Sequence, residues 1–127
     1  MMEKDKYHIR QAKISDAVKI RECLRTWLHE APFNFGNINN TKILENIVFY
    51  IKHNFVIVLE KENIIVGTLA ATIDDTWYSD KKFLRTLWLH VIPKHRSYPA
   101  FRAIMLVLKE YSLKHNLTTI LEVMQGK

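Results

Sequence analysis

The chain has 127 residues, enough for one domain that can bury roughly two thirds of its unfolded surface. Hydrophobic content of 48% and charged content of 25% are those of a soluble globular protein, and three Gly and three Pro argue against disorder or a turn-dense all-β fold. The formal net charge of +6 suits an anionic ligand, a nucleic acid, an acidic protein partner or a plain lysine-rich surface.

Met1 to Lys6 lack the apolar segment of a secretory signal, and the apolar runs are too short to span a bilayer. A cytoplasmic location is therefore expected. Tyr7 to Ala12 read as a first strand, and Ser15 or Asp16 can cap the helix that follows. Ala17, Ile20, Leu24, Trp27 and Leu28 recur at helical spacing until Ala31-Pro32. After an Asn- and Phe-containing loop, Thr41 can cap a second helix with Ile43, Leu44, Ile47, Val48 and Ile51 on one face, closed by Asn54.

The β-branched run Phe55 to Glu60 predicts a strand, Lys61-Glu62-Asn63 a turn, and Ile64 to Ile73 the second arm of a hairpin. Gly67 inside that arm marks a bulge or a close backbone approach. Asp74 to Asp80 form a polar loop carrying Trp77 and Tyr78. Phe83 to Ile92 predict another strand, Pro99 to His115 a long helix, and Leu117 to Met124 a last strand. The order β-α-α-β-β-β-α-β implies an α/β or α+β domain with a mixed sheet.

Cys23 stands alone, so no intramolecular disulfide is possible, and its place in a helical pattern makes it a small apolar residue. The His residues are scattered without metal-ligand spacing, so no metal is expected. No phosphate-binding Gly-Lys loop and no Ser-His-Asp arrangement can be read. Residues 81–109 hold seven Lys/Arg and no Asp or Glu. There a strand feeds Pro93-Lys94-His95-Arg96 and then a helix start, where N–H groups and the helix dipole favour an anion.

These segments together resemble the GNAT N-acetyltransferase superfamily. Ile9-Arg10-Gln11-Ala12-Lys13-Ile14-Ser15-Asp16 looks like the family's I-R-x-A-x-x-x-D opening, and Ile65-Val66-Gly67 like its I-V-G segment. Leu89 to Arg96 look like its L-x-V-x-P-x-x-R run, and Leu121-Glu122-Val123 like its L-E-V strand. The resemblance covers essentially the whole chain, residues 1–127, as one mostly antiparallel GNAT-like domain. It implies acetyl-CoA as co-substrate, with its pantetheine arm along Leu89 to Val91. Its pyrophosphate would lie on the turn Arg96, Ser97, Tyr98, Pro99, Ala100, within reach of Arg102.

Two departures from the family pattern stand out. The R-x-x-G-x-G/A turn has become Arg96-Ser97-Tyr98-Pro99-Ala100-Phe101. Pro99 removes an N–H donor, and Phe101 brings bulk where close approach is wanted. Some phage-encoded members also lose these glycines, and the chain looks closer to those; such a source places it in a bacterial or phage-infected cell. The sequence also ends after the fifth strand, without the family's usual last helix and hairpin. The strand 117–124 would then have an open edge, for which a homodimer is the expected cover.

The resemblance makes Glu122 a candidate base for the incoming amine; a solvent-facing strand Glu is the plain alternative. His90 can accept an ammonium proton near neutral pH, or can be a half-buried strand His hydrogen-bonded in the sheet. If alternation holds, Leu89 and Val91 face away from it. Arg96 can grip two phosphate oxygens, whereas Lys94 and His95 read as surface. Asp74, Asp75 and Asp80 with Trp77 and Tyr78 can hold an amine, or can simply be a polar hairpin tip. Two functions follow. One is transfer of an acetyl group from acetyl-CoA to a primary amine of unidentified acceptor. The other is a GNAT-like protein without catalysis that engages an acidic protein or nucleic acid through its basic segment.

Overall fold

The computed structural model describes residues 6–30 and 38–120. Strand β1 (His8–Gln11) leads through a 3₁₀ turn (Ile14–Asp16) into helices α1 (Ala17–Glu30) and α2 (Asn40–His53). Strands β2 (Phe55–Lys61), β3 (Ile64–Thr76) and β4 (Ser79–Val91) follow. A second 3₁₀ turn (Pro93–His95) then precedes helix α3 (Tyr98–Lys114) and strand β5 (Thr118–Ile120). The strands lie side by side in chain order, antiparallel through β4, with β5 parallel to β4. This is the expected mixed α/β architecture. Only the start of the predicted 117–124 strand lies within the described residues; its remainder, with Glu122, lies outside them.

The sheet has a core on each face. Ile20 and Leu24 of α1 and Ile47 of α2 pack on Val56, Val58, Ala70 and Trp88. Ile104 and Leu108 of α3 pack on Ile57, Leu59, Leu69, Leu84 and Val91. Strand β2 is buried on both sides, which is why Phe55 to Leu59 reads as one apolar run rather than an alternation.

Three local details differ from expectation. Asp74 to Asp80 are not a loop: β3 and β4 zip up to Thr76↔Ser79, leaving Trp77 and Tyr78 at the tip. Cross-strand pairs extend the ladder, Arg85 Nε with Asp74 Oδ2 and Lys82 Nζ with Asp75 Oδ2, each at 3.3 Å. Asn39, not Thr41, caps α2, its Oδ1 accepting from the Lys42 N–H at 3.0 Å. Lys61 pairs with Ile64, so Glu62-Asn63 is a two-residue turn with φ of 53° and 67°, the left-handed pair a type I′ hairpin requires.

The opening motif has a physical role. The Arg10 guanidinium donates to both Asp16 oxygens, at 2.7 and 2.9 Å, and to both Glu60 oxygens at 3.2 Å. Asp16 Oδ2 also accepts the Lys13 N–H at 2.7 Å. One arginine thus ties β1, the entry to α1 and β2 together. The bond from Arg10 holds the buried Asp16 carboxyl below the usual carboxylate range, against the opposing effect of burial.

A depressed folded-state pKa stabilises the fold above the unfolded value of about 3.9 and ceases to do so as pH falls through the folded value. Asp16→Asn should therefore lower stability at neutral pH by about 1–3 kcal/mol, the usual effect of losing a charged hydrogen-bond partner. It should also flatten the loss of stability below pH ~5. Urea unfolding between neutral and acid pH tests both; an acid limb identical to wild type would remove Asp16 from the account.

Candidate active site

The site is built on the second half of β4. Opposite β3, the register runs Ala70↔Trp88 and then Ala71↔Thr86, so Leu87 is an extra residue and forms a β-bulge. On the other side, β5 pairs only with Phe83, Leu84 and Arg85. Among the described residues, the outer edge of β4 beyond Arg85 therefore has no strand partner.

The backbone direction follows from a single bond. The Ile92 N–H donates to the Val66 carbonyl at 2.9 Å, so Ile92 faces β3. The two-residue period then turns the backbone of His90 toward β3 and that of Leu89 and Val91 toward the open edge. The close contact of Gly67 with the His90 carbonyl agrees: a Cβ there would lie 3.2 Å from that oxygen. Among the described residues, Leu89 thus turns its N–H and C=O, and Val91 its N–H, to an edge that an extended ligand could pair with, while the Val91 C=O accepts from Arg96.

Side chains sort by the same alternation. Leu89 and Val91 lie on the α3 face. His90 pairs across from Thr68 on the face of α1 and α2, as the alternation required. It is only 4% exposed, hence fully rather than half-buried. Its neighbourhood is polar for a core: Trp88 Nε1 donates to Thr68 Oγ1 at 3.1 Å, and that hydroxyl donates to the Ile57 carbonyl at 3.0 Å.

The turn after β4 is organised by side chains. Arg96 Nε donates to the Val91 carbonyl at 2.8 Å, which fixes the guanidinium at the end of the open edge. The helix begins at Tyr98, one residue before the expected Pro99, and Ser97 is its N-cap. Ser97 Oγ accepts the Ala100 N–H at 3.4 Å. Pro99 has no N–H and Ala100 spends its own on Ser97, so Tyr98 supplies the N–H left in the first turn. Ala100 is fully buried, Phe101 packs against the α3-face core, and Tyr98 and Arg102 are exposed. Phe101 thus adds bulk to the core rather than to the turn surface. The edge at Leu89–Val91 fits a row of amides well. The turn offers an anion one guanidinium and few N–H groups.

Other candidates sit apart from this edge. Asp74 and Asp75 are spent on Arg85 and Lys82, which matches two of the seven Lys/Arg of residues 81–109 with carboxylates. Trp77 and Tyr78 are 95% and 72% exposed at the far hairpin tip. Cys23 is buried, and burial pushes its thiol up to about 12, so it is no nucleophile. Among the described residues, no group of three His, Cys, Asp or Glu could hold a metal, and no helix is long and apolar enough to cross a membrane. Sequence reasoning missed the Ser97 cap, though a Ser before a Pro-started helix is its usual signal. It also missed the Leu87 bulge, which no Gly or Pro announces.

Comparison with solved structures shows which fold this is. A predicted acetyltransferase from Clostridium acetobutylicum, solved with acetyl-CoA, superposes with a TM-score of 0.75 at 14% identity, over 95% of this chain and 82% of that one. The chain has the GNAT fold. A GNAT family acetyltransferase from Staphylococcus aureus gives 0.70 at 17% identity, over 96% and 88% of the two chains. A ribosomal-protein-alanine N-acetyltransferase from Brucella melitensis gives 0.73 at 12%, over 93% and 80%. By sequence, no family profile and no curated protein matches the chain. The likeness to these structures is thus one of fold, at 12–17% identity.

Gly67 holds the end of β4 in place. A Cβ there would meet Val91 Cγ2 at 3.1 Å, the His90 carbonyl at 3.2 Å and Leu59 Cδ2 at 3.3 Å. Gly67→Ala should destabilise by about 1–3 kcal/mol, as overpacked sites do, because β4 backbone must move. Chemical denaturation checks the value; a neutral or stabilising substitution would mean that the strand end is loosely held.

Proposed function

We propose that the protein is an N-acyltransferase that moves an acetyl group from acetyl-CoA to a primary amine. The observation that carries this is β4 itself: bent at Leu87 and, among the described residues, without a strand partner on its outer edge beyond Arg85, where the amides of Leu89 and Val91 point. A ligand with its own amides, such as the pantetheine arm, can pair there like an added strand. The fold shared with structures that include an acetyl-CoA complex supports the same reading.

The reaction would be direct attack. The amine nitrogen bonds to the acetyl carbonyl carbon, the carbon–sulfur bond breaks, and the CoA thiolate leaves with a proton that the amine gives up. Strand N–H groups facing the edge would stabilise the tetrahedral oxyanion. Edge pairing would hold the thioester in place for attack. His90 and Glu122 are the proton acceptors proposed for the amine; Glu122 lies outside the described residues, and the burial of His90 requires a relaying water or hydroxyl. Arg96, Ser97 and Tyr98 would meet the pyrophosphate, with Arg102 in the next turn.

A non-catalytic GNAT-like binding protein is the second reading, favoured by Pro99 and the loss of the glycines in the phosphate turn. Calorimetry with CoA separates the two. Acetyl-CoA and CoA should bind, and Arg96→Ala should weaken CoA by about 1–3 kcal/mol, the worth of a charge-assisted hydrogen bond. No heat from the folded wild type at millimolar CoA would end the enzyme reading. Unchanged affinity in the Arg96 variant would place the phosphates elsewhere.

A further inference from the structure

A second basic feature lies on the β3 side of the same turn, away from the open edge. Between the β2–β3 hairpin tip and the 3₁₀ turn Pro93–His95 is a cavity of about 310 Å³. Lys61, Glu62, Ile64, Val66, Lys94 and His95 line it. None of the residues assigned above to the pyrophosphate is among them.

Two of the lining side chains, Lys61 and His95, are held in place by a third residue, Tyr7. Lys61 Nζ sits 4.8 Å from the centroid of the Tyr7 ring, a cation–π contact that restrains the ammonium without neutralising it. The Tyr7 hydroxyl lies 3.4 Å from His95 Nδ1, and the two rings meet edge to face. With Nδ1 engaged, Nε2 is the ring nitrogen left for a ligand. One tyrosine therefore organises both Lys61 and His95.

Charge is left over as well. Among the described residues, Arg10, Arg25, Lys82 and Arg85 are matched with carboxylates, whereas neither Lys61 nor Lys94 takes part in a salt bridge. Glu62 is the acid in the lining, so two ammonium groups face one carboxylate. The volume far exceeds the ~30 Å³ share of a single water. It suits a compact, doubly charged anion.

We propose that this cavity binds a phosphate monoester dianion at a site distinct from the α3 start, with Lys61, Lys94 and His95 as its donors. Two sources carry that chemistry: the 3′-phosphate of bound CoA, and a free phosphate-bearing effector. Only the first rests on the acyltransferase reading.

The test uses the whole chain and two kinds of probe. Inorganic phosphate is titrated into labelled protein and followed by amide NMR. CoA and dephospho-CoA are compared by calorimetry. Both are repeated with Lys61→Ala/Lys94→Ala, whose exposed or half-buried sites spare the core. Phosphate should produce saturable shifts at Lys61, Ile64, Lys94 and His95, and the double variant should weaken them about tenfold or more, as for lost charge-assisted bonds. If the wild type also prefers CoA over dephospho-CoA by about tenfold, and the variant loses that preference, the 3′-phosphate is the ligand. If CoA fails to bind, or shows no such preference, while the phosphate shifts persist and depend on the two lysines, the ligand is a free phosphate. Absence of saturable shifts at the cavity, with CoA discrimination that does not depend on Lys61 and Lys94, would overturn the proposal.

Discussion

The proposed function depends on β4, which pairs with β3 along its length and, among the described residues, pairs on its other edge only at Phe83 to Arg85. A strand edge is a row of donors and acceptors that must be satisfied by something. Here β5 pairs with Phe83 to Arg85, the Leu87 bulge bends the strand, and, among the described residues, no strand meets the outward N–H and C=O of Leu89 or the outward N–H of Val91. The Val91 carbonyl takes a bond from Arg96, which also ties the turn to the strand end. What remains is a short, oriented set of amides beside a guanidinium and a helix start. That is the geometry in which an extended amide ligand with a charged tail is held.

The rest of the fold keeps that edge in place. Arg10 clamps the first strand, the entry to α1 and β2 through Asp16 and Glu60. Thr68 bridges Trp88 of β4 to the Ile57 carbonyl of β2, a polar link across three strands inside the core. Gly67 lets β3 approach the end of β4 closely, and a Cβ there would press on the Val91 and Leu59 side chains and the His90 carbonyl at 3.1–3.3 Å. The second core, under α3, buries Leu84 and Val91 from the opposite face. The strand is thus braced on both faces and on its β3 edge, and the proposed ligand would use the other edge, which beyond Arg85 has no strand partner among the described residues.

Much of this was legible because it follows local periodicity. The 3.6 period found α1, α2 and α3, and the period of two separated His90 from Leu89 and Val91 correctly. Gly67 inside an apolar strand announced a bulge or a close approach, and both occur there, a register shift opposite Leu59 and Glu60 and the tight contact with the end of β4; the short motifs in order announced the fold. What escaped depends on partners distant in sequence. The Asp74–Asp80 segment looks like a loop until Lys82 and Arg85 are seen to pair with Asp75 and Asp74 across the hairpin. Asn39 and Thr41 are both good caps, and only side-chain reach chooses Asn39. The Leu87 bulge has no compositional mark. The tyrosine that joins Lys61 to His95 lies 88 residues from that histidine in the chain.

The edge itself is the most direct thing to measure. Residue-resolved amide hydrogen exchange on the folded protein, with and without acetyl-CoA, reads it. Without ligand, the outward amides of Leu89 and Val91 should exchange much faster than those of Trp88 and His90, which face β3. With ligand, Leu89 and Val91 should become protected while amides at the Trp77–Tyr78 tip do not change. Equal protection of all four amides before ligand is added, or bound ligand that leaves Leu89 and Val91 unprotected, would contradict the account.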